Sequence, residues 1–284
     1  MPIKFGANES RCDIVVKPST KSGLKTLMIR VLFNKKGGVG KSSLAVNLAA
    51  ISAANGHKTL LIDLDTQCNS THYLDVPELD REQTIAGLFD QTITFHLRRK
   101  PAVEFAYDTP LENLSIIPGS AHLSDIESEL HSRHKIYKLR EALHGALTHY
   151  DRIYIDTPPA LNFYSLSALI AANTVLIPID CDDFAIQGLF KLQQHIAEIQ
   201  EDHNEELSIE GIIANQYLST AKLPNQIIQS LLDEGHPVIP TYVSQSVKMR
   251  ESHQVKKPLL HMAPKHKLTL ALVDIYRFLE EKNT

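Results

Sequence analysis

A glycine-rich segment with three lysines and two serines offers the clearest chemistry in this sequence. Residues 34–43 read NKKGGVGKSS, between a short apolar run and an amphipathic stretch. A phosphate-binding loop requires that strand-to-helix setting. Gly37, Gly38 and Gly40 let successive backbone amides turn toward phosphate oxygens, and the start of the following helix adds the positive end of its dipole. The segment therefore predicts a site for a nucleoside triphosphate.

Two side chains of this loop have predicted roles. Lys41 is placed to reach the β- and γ-phosphates, and Ser42 is placed to offer its hydroxyl to Mg²⁺. The predicted ligands are therefore ATP or ADP with Mg²⁺. The usual pattern has a glycine five residues before Gly40, where this chain has Lys35, and Lys36 stands directly before the first glycine. The residues predicted to line the nucleotide are Gly37, Gly38, Val39, Gly40, Lys41, Ser42 and Ser43.

Three aspartates end apolar runs farther along the chain. Asp63 and Asp65 are two residues apart, so they point to the same side of a strand. Asp156 ends the run IYID and precedes Thr157 and two prolines, which fits a carboxylate that holds Mg²⁺ through water. Ligands of open α/β sheets bind at the carboxyl ends of the strands. We expect these carboxylates to lie beside the loop. The alternative for Asp63 and Asp65 is a pair of solvated carboxylates at the end of a strand.

The elements that must position these residues alternate between short apolar and longer amphipathic stretches, which is the βαβ pattern. Several runs are apolar on both faces, as in a parallel sheet covered by helices on both sides. The fold class predicted is α/β, a three-layer, doubly wound and mostly parallel sheet. Predicted strands are 28–33, 59–64, 114–117, 152–155, 174–177, 208–214 and 238–242. Predicted helices are 41–55, 124–130, 138–148, 166–172, 188–200 and 267–281.

Length and composition limit the remaining possibilities. The 284 residues carry a net charge of −4 and are 43% hydrophobic, which suits one large domain, expected over 26–284 with 1–25 as a loosely attached extension. The first residues lack the apolar core of a secretory signal, and no run approaches the ~20 apolar residues of a spanning helix. A cytoplasmic protein is expected. Three widely spaced cysteines, Cys12, Cys68 and Cys181, predict free thiols.

The pattern K-G-G-x-G-K-S resembles the deviant Walker A box of the ParA/MinD family of ATPases, most closely its ParA and Soj-type partition members. KTLLIDLDTQCNST at 58–71 resembles the second box of that family, and YDRIYIDTPPALNFYSLSAL at 150–169 resembles its Walker B segment. NTVLIPID followed by QGL resembles the next strand and helix. The resemblance covers 28–281 and implies a P-loop NTPase fold that hydrolyses ATP.

The resemblance also implies roles for individual residues. Lys36 would reach across a dimer interface to phosphate on the partner's nucleotide, where an added cation can stabilise developing charge. Asp65 would position the attacking water, so Lys36, Lys41 and Asp65 form the candidate catalytic set. Asp63 would lie near the Mg²⁺ shell, to which Ser42 and Asp156 also belong, or near the switch region. Asn215 matches the position that contacts adenine, with a loop-turn asparagine as the alternative.

ParA-like proteins form ATP-dependent homodimers that coat the nucleoid and are released when a cargo-bound partner stimulates hydrolysis. Residues 245–267 carry a local charge of +5, and Lys248 and Arg250 lie in the segment that resembles the DNA-contacting region. Thr220 and Gln245 stand where many relatives have arginine. The resemblance implies non-specific DNA and a ParB-like or other cargo adaptor as partners, nucleoid association, and a plasmid, chromosome or protein assembly as cargo.

Two alternatives stay open at this stage. A MinD-like positioning regulator would share the loop, but that class ends in a basic amphipathic helix, whereas this chain ends RFLEEKNT, so no membrane partner is expected. A nucleotide-gated protein scaffold without DNA binding would share the loop and the carboxylates. Turnover and DNA-binding measurements separate these alternatives.

Overall fold

A twisted sheet lies at the centre of this protein, whose computed structural model describes residues 27–146, 148–182 and 185–282. The predicted extension at 1–25, with Cys12, lies outside the described residues. Within the described ranges the sheet has seven strands, in the spatial order β3–β4–β2–β5–β1–β6–β7. They are β1 (Met28–Leu32), β2 (Thr59–Asp63), β3 (Tyr107–Asp108), β4 (Leu114–Ile117), β5 (Arg152–Asp156), β6 (Thr174–Asp180) and β7 (Ser208–Asn215).

All neighbouring strands pair in parallel except β3, which runs antiparallel to β4 at one edge. Helices connect the parallel strands and cover both faces, so the predicted three-layer α/β fold is confirmed. They are α1 (Lys41–Ala54), α2 (Asn69–Tyr73), α3 (Ile85–Ile93), α4 (Leu123–Ser132), α5 (Lys138–His144), α6 (Phe163–Ala171), α7 (Ala185–Asp202), α8 (Lys222–Asp233), α9 (Val247–Gln254), α10 (Leu259–Met262) and α11 (Lys267–Lys282).

The apolar strands supply two cores because successive side chains point to opposite faces of the sheet. Val31 and Ile155 pack into one cluster with α3 to α7, whereas Leu32 and Tyr154 pack into the other with α1 and α11. All four are fully buried. This double burial explains why the strands read as continuous apolar runs rather than as alternating ones.

The predicted strand at 238–242 is wrong. Only Val238 forms an isolated bridge, to Ile212 of β7. Pro237 and Pro240 flank it and have no N–H to donate to a ladder. The short strand β3 was not predicted, since two residues are too few to show an alternating period.

Helix boundaries differ from the predicted ones where local capping decides them. Helix α6 begins three residues before the predicted start, because the Asn162 side chain accepts a hydrogen bond from the Ser165 N–H while Ser165 binds back to the Asn162 N–H. Helices α2, α3, α8, α9 and α10 were not predicted. No helix in the described ranges is both long and apolar enough to cross a bilayer.

Candidate nucleotide-binding site

The glycine-rich loop joins the end of β1 to the start of α1, as the sequence predicts. Gly38 and Gly40 have φ angles of +79° and +87°, which strongly favour glycine. A Cβ atom at Gly40 would lie 2.2 Å from the Asn215 Nδ2 atom. No side chain among the described residues caps α1, so its first N–H groups can face an anion.

The Lys41 side chain, at the start of α1, turns back toward the loop, where it was predicted to bind phosphate. Its side chain is 6% exposed, and its ammonium donates to the Lys36 carbonyl at 3.2 Å. Burial lowers the pKa of Lys41, while the charges of Asp156 and Asp65 act in the opposite direction. The ammonium is therefore held between the loop backbone and the carboxylates, where a phosphate group would add a favourable charge.

Two predicted magnesium ligands meet across neighbouring strands. Asp63 ends β2 and Asp156 ends β5 in direct register, and both are fully buried. The Asp63 carboxylate accepts hydrogen bonds from the Thr71 N–H at 2.9 Å and the Thr71 hydroxyl at 2.7 Å. Ser70 donates to Asp156 Oδ2 at 2.8 Å. The other oxygen, Asp156 Oδ1, is buried without a hydrogen-bond partner in the described structure.

This pair of carboxylates carries unfavourable charge that a cation would relieve. Burial raises the pKa of both groups, and the charge of Asp63 raises that of Asp156 further. The Ser42 hydroxyl approaches Asp156 and partly offsets the rise. No cluster of three or more metal-ligating His, Cys, Asp or Glu residues occurs in the described ranges. Few protein ligands with open positions suit Mg²⁺, which keeps waters and phosphate oxygens, so these residues fit the ion.

Asp65 lies beyond the end of β2 and is 6% exposed. Its backbone N–H donates to Asp63 Oδ1 at 3.1 Å, and its own carboxylate accepts the Gln67 N–H at 3.0 Å. Thr66, between Asp65 and Gln67, is half-buried. It stands where the D-x-D-P-Q pattern of the ParA/MinD family, which this segment resembles, has proline. The backbone of this turn is therefore held by carboxylate hydrogen bonds.

Lys36 is exposed beside the loop and is paired within its own chain. Its ammonium lies 3.2 Å from Asp180 and closer still to Asp182, which is itself 44% exposed. The hydrogen bond to Asp182 raises the pKa of Lys36, and burial acts in the opposite direction. An exposed pair of this kind contributes about 0–1 kcal/mol. The lysine can therefore leave this position at small energetic cost.

Asn215 supports the loop from the end of β7. Its side-chain amide donates to the Val39 carbonyl at 2.8 Å. The adjacent Gln216, with φ of +53°, donates to the Gly38 carbonyl at 2.8 Å and to Asp180 at 3.2 Å. The predicted contact of Asn215 with adenine stays a prediction. Nothing in the residue pattern indicates a role for Gln216 beyond its place next to Asn215.

The two residues predicted to contact DNA lie on α9. The Lys248 ammonium pairs with Glu251 at 2.6 Å, and Arg250 is exposed. Lys256, another cation of the basic segment, pairs with Asp75 at 2.7 Å. Intramolecular pairs therefore engage part of the +5 charge of this segment, and Arg250 remains an accessible cation on the helix.

Helix α9 is also connected to the nucleotide site. His253 Nε2 lies 3.0 Å from the Ser43 hydroxyl of the loop, and its ring lies 4.1 Å from the Tyr73 ring. The Tyr73 hydroxyl in turn lies 2.6 Å from Ser252 Oγ. Because Tyr73 ends α2, which also carries Ser70 and its hydrogen bond to Asp156, α2 contacts both the carboxylates and α9. Sequence reasoning missed Ser70, Thr71, Tyr73 and His253.

Comparisons with known proteins agree with this arrangement. The model of a family described as an AAA domain matches residues 27–209. Chromosome partitioning protein ParA of Myxococcus xanthus is 32% identical over 255 residues, which cover 88% of this chain and 87% of that protein. The sporulation initiation inhibitor protein Soj of Bacillus subtilis is 30% identical, covering 87% of this chain and 96% of that protein.

Solved structures share the fold. McdA of Cyanothece, solved in complex with ATP, superposes with a TM-score of 0.79 at 20% identity, covering 90% of this chain and 96% of that one. MinD of Pyrococcus horikoshii, solved with Mg-ADP, superposes with a TM-score of 0.73 at 21% identity, covering 90% and 97%. The fold and loop define a P-loop ATPase. The chain belongs to the ParA/MinD family of these ATPases.

Proposed function

We propose that this chain is a ParA-type positioning ATPase that dimerises with ATP, binds DNA without sequence preference and moves or segregates a cargo. The observation that carries the proposal is the buried carboxylate oxygen, Asp156 Oδ1, which has no partner in the described structure and lies beside the glycine-rich loop. A buried carboxylate oxygen without a donor is costly, and a cation bound at this site would relieve that cost.

In this proposal Ser42 and Asp156 hold Mg²⁺, with Asp63 in the surrounding shell. When bound, Mg²⁺ supplies charge that offsets the negative charge on the phosphoryl oxygens of ATP. Lys41 stabilises the same oxygens from inside the loop. Asp65 orients the attacking water through its carboxylate, and its hydrogen bond to the Gln67 N–H keeps that carboxylate in place.

Lys36 supplies the link between hydrolysis and dimerisation. In the single chain it is held by the half-buried Asp180 and by Asp182, whose side chain is exposed, and such a surface pair contributes little energy, so a partner's phosphate can compete for it. Its added charge would stabilise the transition state only when two chains meet. Hydrolysis would then be slow, and a cargo-bound adaptor would stimulate it and so release the protein from the nucleoid. In this proposal the protein is cytoplasmic and associates with the nucleoid.

The experiment that tests the DNA-binding part is a mobility shift on two unrelated duplexes. With ATP we expect both duplexes to shift equally, and with ADP we expect much weaker binding, because a dimer doubles the phosphate contacts. Arg250→Glu combined with Lys248→Glu should weaken both shifts about tenfold or more and flatten the salt dependence. Lys191→Glu, an exposed lysine on α7 outside the basic segment, is the control.

No shift of either duplex at low salt would refute the DNA-binding part. It would favour a positioning switch that works through proteins alone. ATP turnover measured on the same samples keeps the ATPase assignment separate from this result.

A further inference from the structure

A short segment after α3 displays apolar side chains to solvent next to a run of cations. We name residues 94–100, TFHLRRK, the basic finger. Phe95 is 90% exposed and Leu97 is 96% exposed, the two highest exposures among the large hydrophobic residues described. Single exposed hydrophobic residues are common on protein surfaces, but two of this size close together beside a run of cations form a small apolar patch that a binding partner could cover.

The base of the finger is held in place, so its tip is a defined projection. The Gln91 side chain of α3 donates to the Lys100 carbonyl and accepts from the Lys100 N–H, both at 2.9 Å. The Thr94 N–H donates to the Asp90 carbonyl at 2.9 Å. Arg133, after α4, donates to the Ile93 carbonyl at 3.1 Å. These hydrogen bonds close the loop beneath Phe95 and Leu97.

The charged residues of the basic finger are all positive. Arg98, Arg99 and Lys100 are exposed, and the sequence contains no acidic residue between Asp90 and Glu104. Asp90 is already engaged in a pair with Arg81 at 2.6 Å. A chain with a net charge of −4 therefore concentrates three cations next to its two most exposed apolar side chains. This charge complements an anionic surface.

The finger points away from the nucleotide site. Helix α3 starts beside the carboxyl end of β4, where the Ile85 N–H donates to the Pro118 carbonyl. Its nine residues extend about 13 Å along the sheet. Helix α4 also begins after the carboxyl end of β4, and Arg133 at its far end donates to the Ile93 carbonyl, so both helices lead away from that end. The finger therefore begins about 13 Å from the edge at which the loop and its carboxylates lie.

We propose that the basic finger contacts the surface of an anionic lipid bilayer. Phe95 and Leu97 would enter the interface between headgroups and acyl chains, and the cations behind them would face lipid phosphates. A DNA duplex would satisfy Arg98 and Arg99 but offers no apolar layer for Leu97. This contact goes beyond the proposed function. The expectation of no membrane partner considered the C-terminal helix, and the finger is a different element.

One finger gives a weak and reversible contact, because two apolar side chains and three cations form a small anchor. Two fingers in a dimer would bind more tightly through their effective concentration. The contact would then be linked to nucleotide state without any new residue at the lipid surface.

The test is sedimentation of the full chain with vesicles of equal parts phosphatidylglycerol and phosphatidylcholine, against vesicles of phosphatidylcholine alone. We expect binding to the anionic vesicles only. Phe95→Ser with Leu97→Ser should weaken it about tenfold or more, and so should Arg98→Glu with Arg99→Glu. Phe190→Ser, which alters a 62% exposed phenylalanine on α7, is the matched control and should bind like wild type.

Three outcomes would overturn the proposal. The first is no sedimentation of wild type with anionic vesicles at low ionic strength. The second is equal sedimentation of the finger variants and Phe190→Ser. The third is loss of DNA binding in the finger variants with unchanged lipid binding, which would assign the finger to nucleic acid. Unchanged melting temperature and ATP turnover of the variants exclude misfolding as the cause of a loss.

Discussion

At the scale of the residue, the Lys36 ammonium has carboxylate partners within its own chain. The lysine that resembles the family's cross-interface residue is held in this structure by Asp180 and Asp182 of its own chain. In the proposed dimer, those carboxylates would compete with a partner's phosphate for one ammonium group. That competition would set a small energetic threshold for dimerisation, because the pair with Asp182 is exposed.

Asp182→Asn should therefore strengthen ATP-dependent dimerisation. Removing the nearer carboxylate frees Lys36 and should tighten the dimer by up to about fivefold, the equivalent of about 1 kcal/mol. Light scattering across a concentration series with ATP measures the effect, and Glu198→Gln, an exposed acid on α7, is the control.

Lys36→Ala should abolish both the dimer and the effect of Asp182→Asn. A Lys36→Ala protein that dimerises and hydrolyses ATP like wild type would show that the cross-interface role is wrong. An Asp182→Asn dimer no tighter than wild type would show that the intramolecular pair does not limit assembly.

At the scale of the element, the five-residue helix α2 connects two sites. One side binds the buried carboxylates through Ser70 and Thr71, and Tyr73 at its end packs against α9. A cation bound to Asp156 would compete with the Ser70 hydroxyl for that carboxylate. Binding of the cation would therefore act on α2 directly. If nucleotide binding changes the affinity of α9 for DNA, then DNA binding must change the affinity for nucleotide by the same factor, because the coupling free energy between two ligands is symmetric.

His253→Ala should uncouple α9 from the nucleotide site. The change removes the hydrogen bond to Ser43 and the ring contact with Tyr73, about 1 kcal/mol each at most. Hydrogen exchange of residues 247–254 should slow when Mg-ATP is added to wild type, and this protection should be largely lost in the variant. Nucleotide affinity should fall by less than about tenfold.

His261→Ala, an exposed histidine on α10, is the matched control and should keep the protection. If α9 exchanges at the same rate with and without Mg-ATP in wild type, α2 does not transmit nucleotide state. That measurement uses no DNA, so its outcome is independent of the DNA-binding proposal.

At the scale of the whole molecule, a buried ion-pair network connects the C-terminal helix to the sheet. Arg30 of β1, 1% exposed, pairs with Glu210 of β7 at 2.9 Å and with Glu280 of α11 at 2.9 Å. Arg152 of β5 pairs with Glu280 at 2.6 Å. Burial would raise the pKa of Glu280, but the hydrogen bond from Arg152 and the charge of Arg30 outweigh it and lower that pKa to about 2.

This network predicts how stability depends on acidity. A lowered carboxyl pKa contributes stability that is present above its ordinary pKa of 4.5 and is lost as the pH falls toward about 2. The contribution is on the order of 3 kcal/mol. Glu280→Gln should lower the free energy of unfolding by about this amount at pH 7, and the difference from wild type should shrink below pH 4.5.

Urea unfolding at a series of pH values measures this difference. Glu281→Gln, the exposed neighbour on the same helix, is the control and should change stability by less than about 0.5 kcal/mol. A constant difference between Glu280→Gln and wild type at every pH would assign the effect to packing rather than to charge.

The sequence by itself determined the parts of this protein that depend on local patterns. The loop from Asn34 to Ser43, the carboxylates that end β2 and β5, and six of the strands follow from residue types and spacing over a few positions, since strand and helix periods are local. The predicted and observed strands differ in two places. The prolines beside Val238 explain why no strand forms there, and the two-residue length of β3 explains why that strand was not predicted.

Only the tertiary structure decided which distant residues meet. Ser70 and Asp156 are 86 positions apart, Lys36 and Asp182 are 146 apart, and Arg30 and Glu210 are 180 apart. No local period records such contacts. The first two arise because parallel pairing places β1 between β5 and β6, which gathers the carboxyl ends of strands from the whole chain at one edge, and the third arises because only β6 separates β1 from β7.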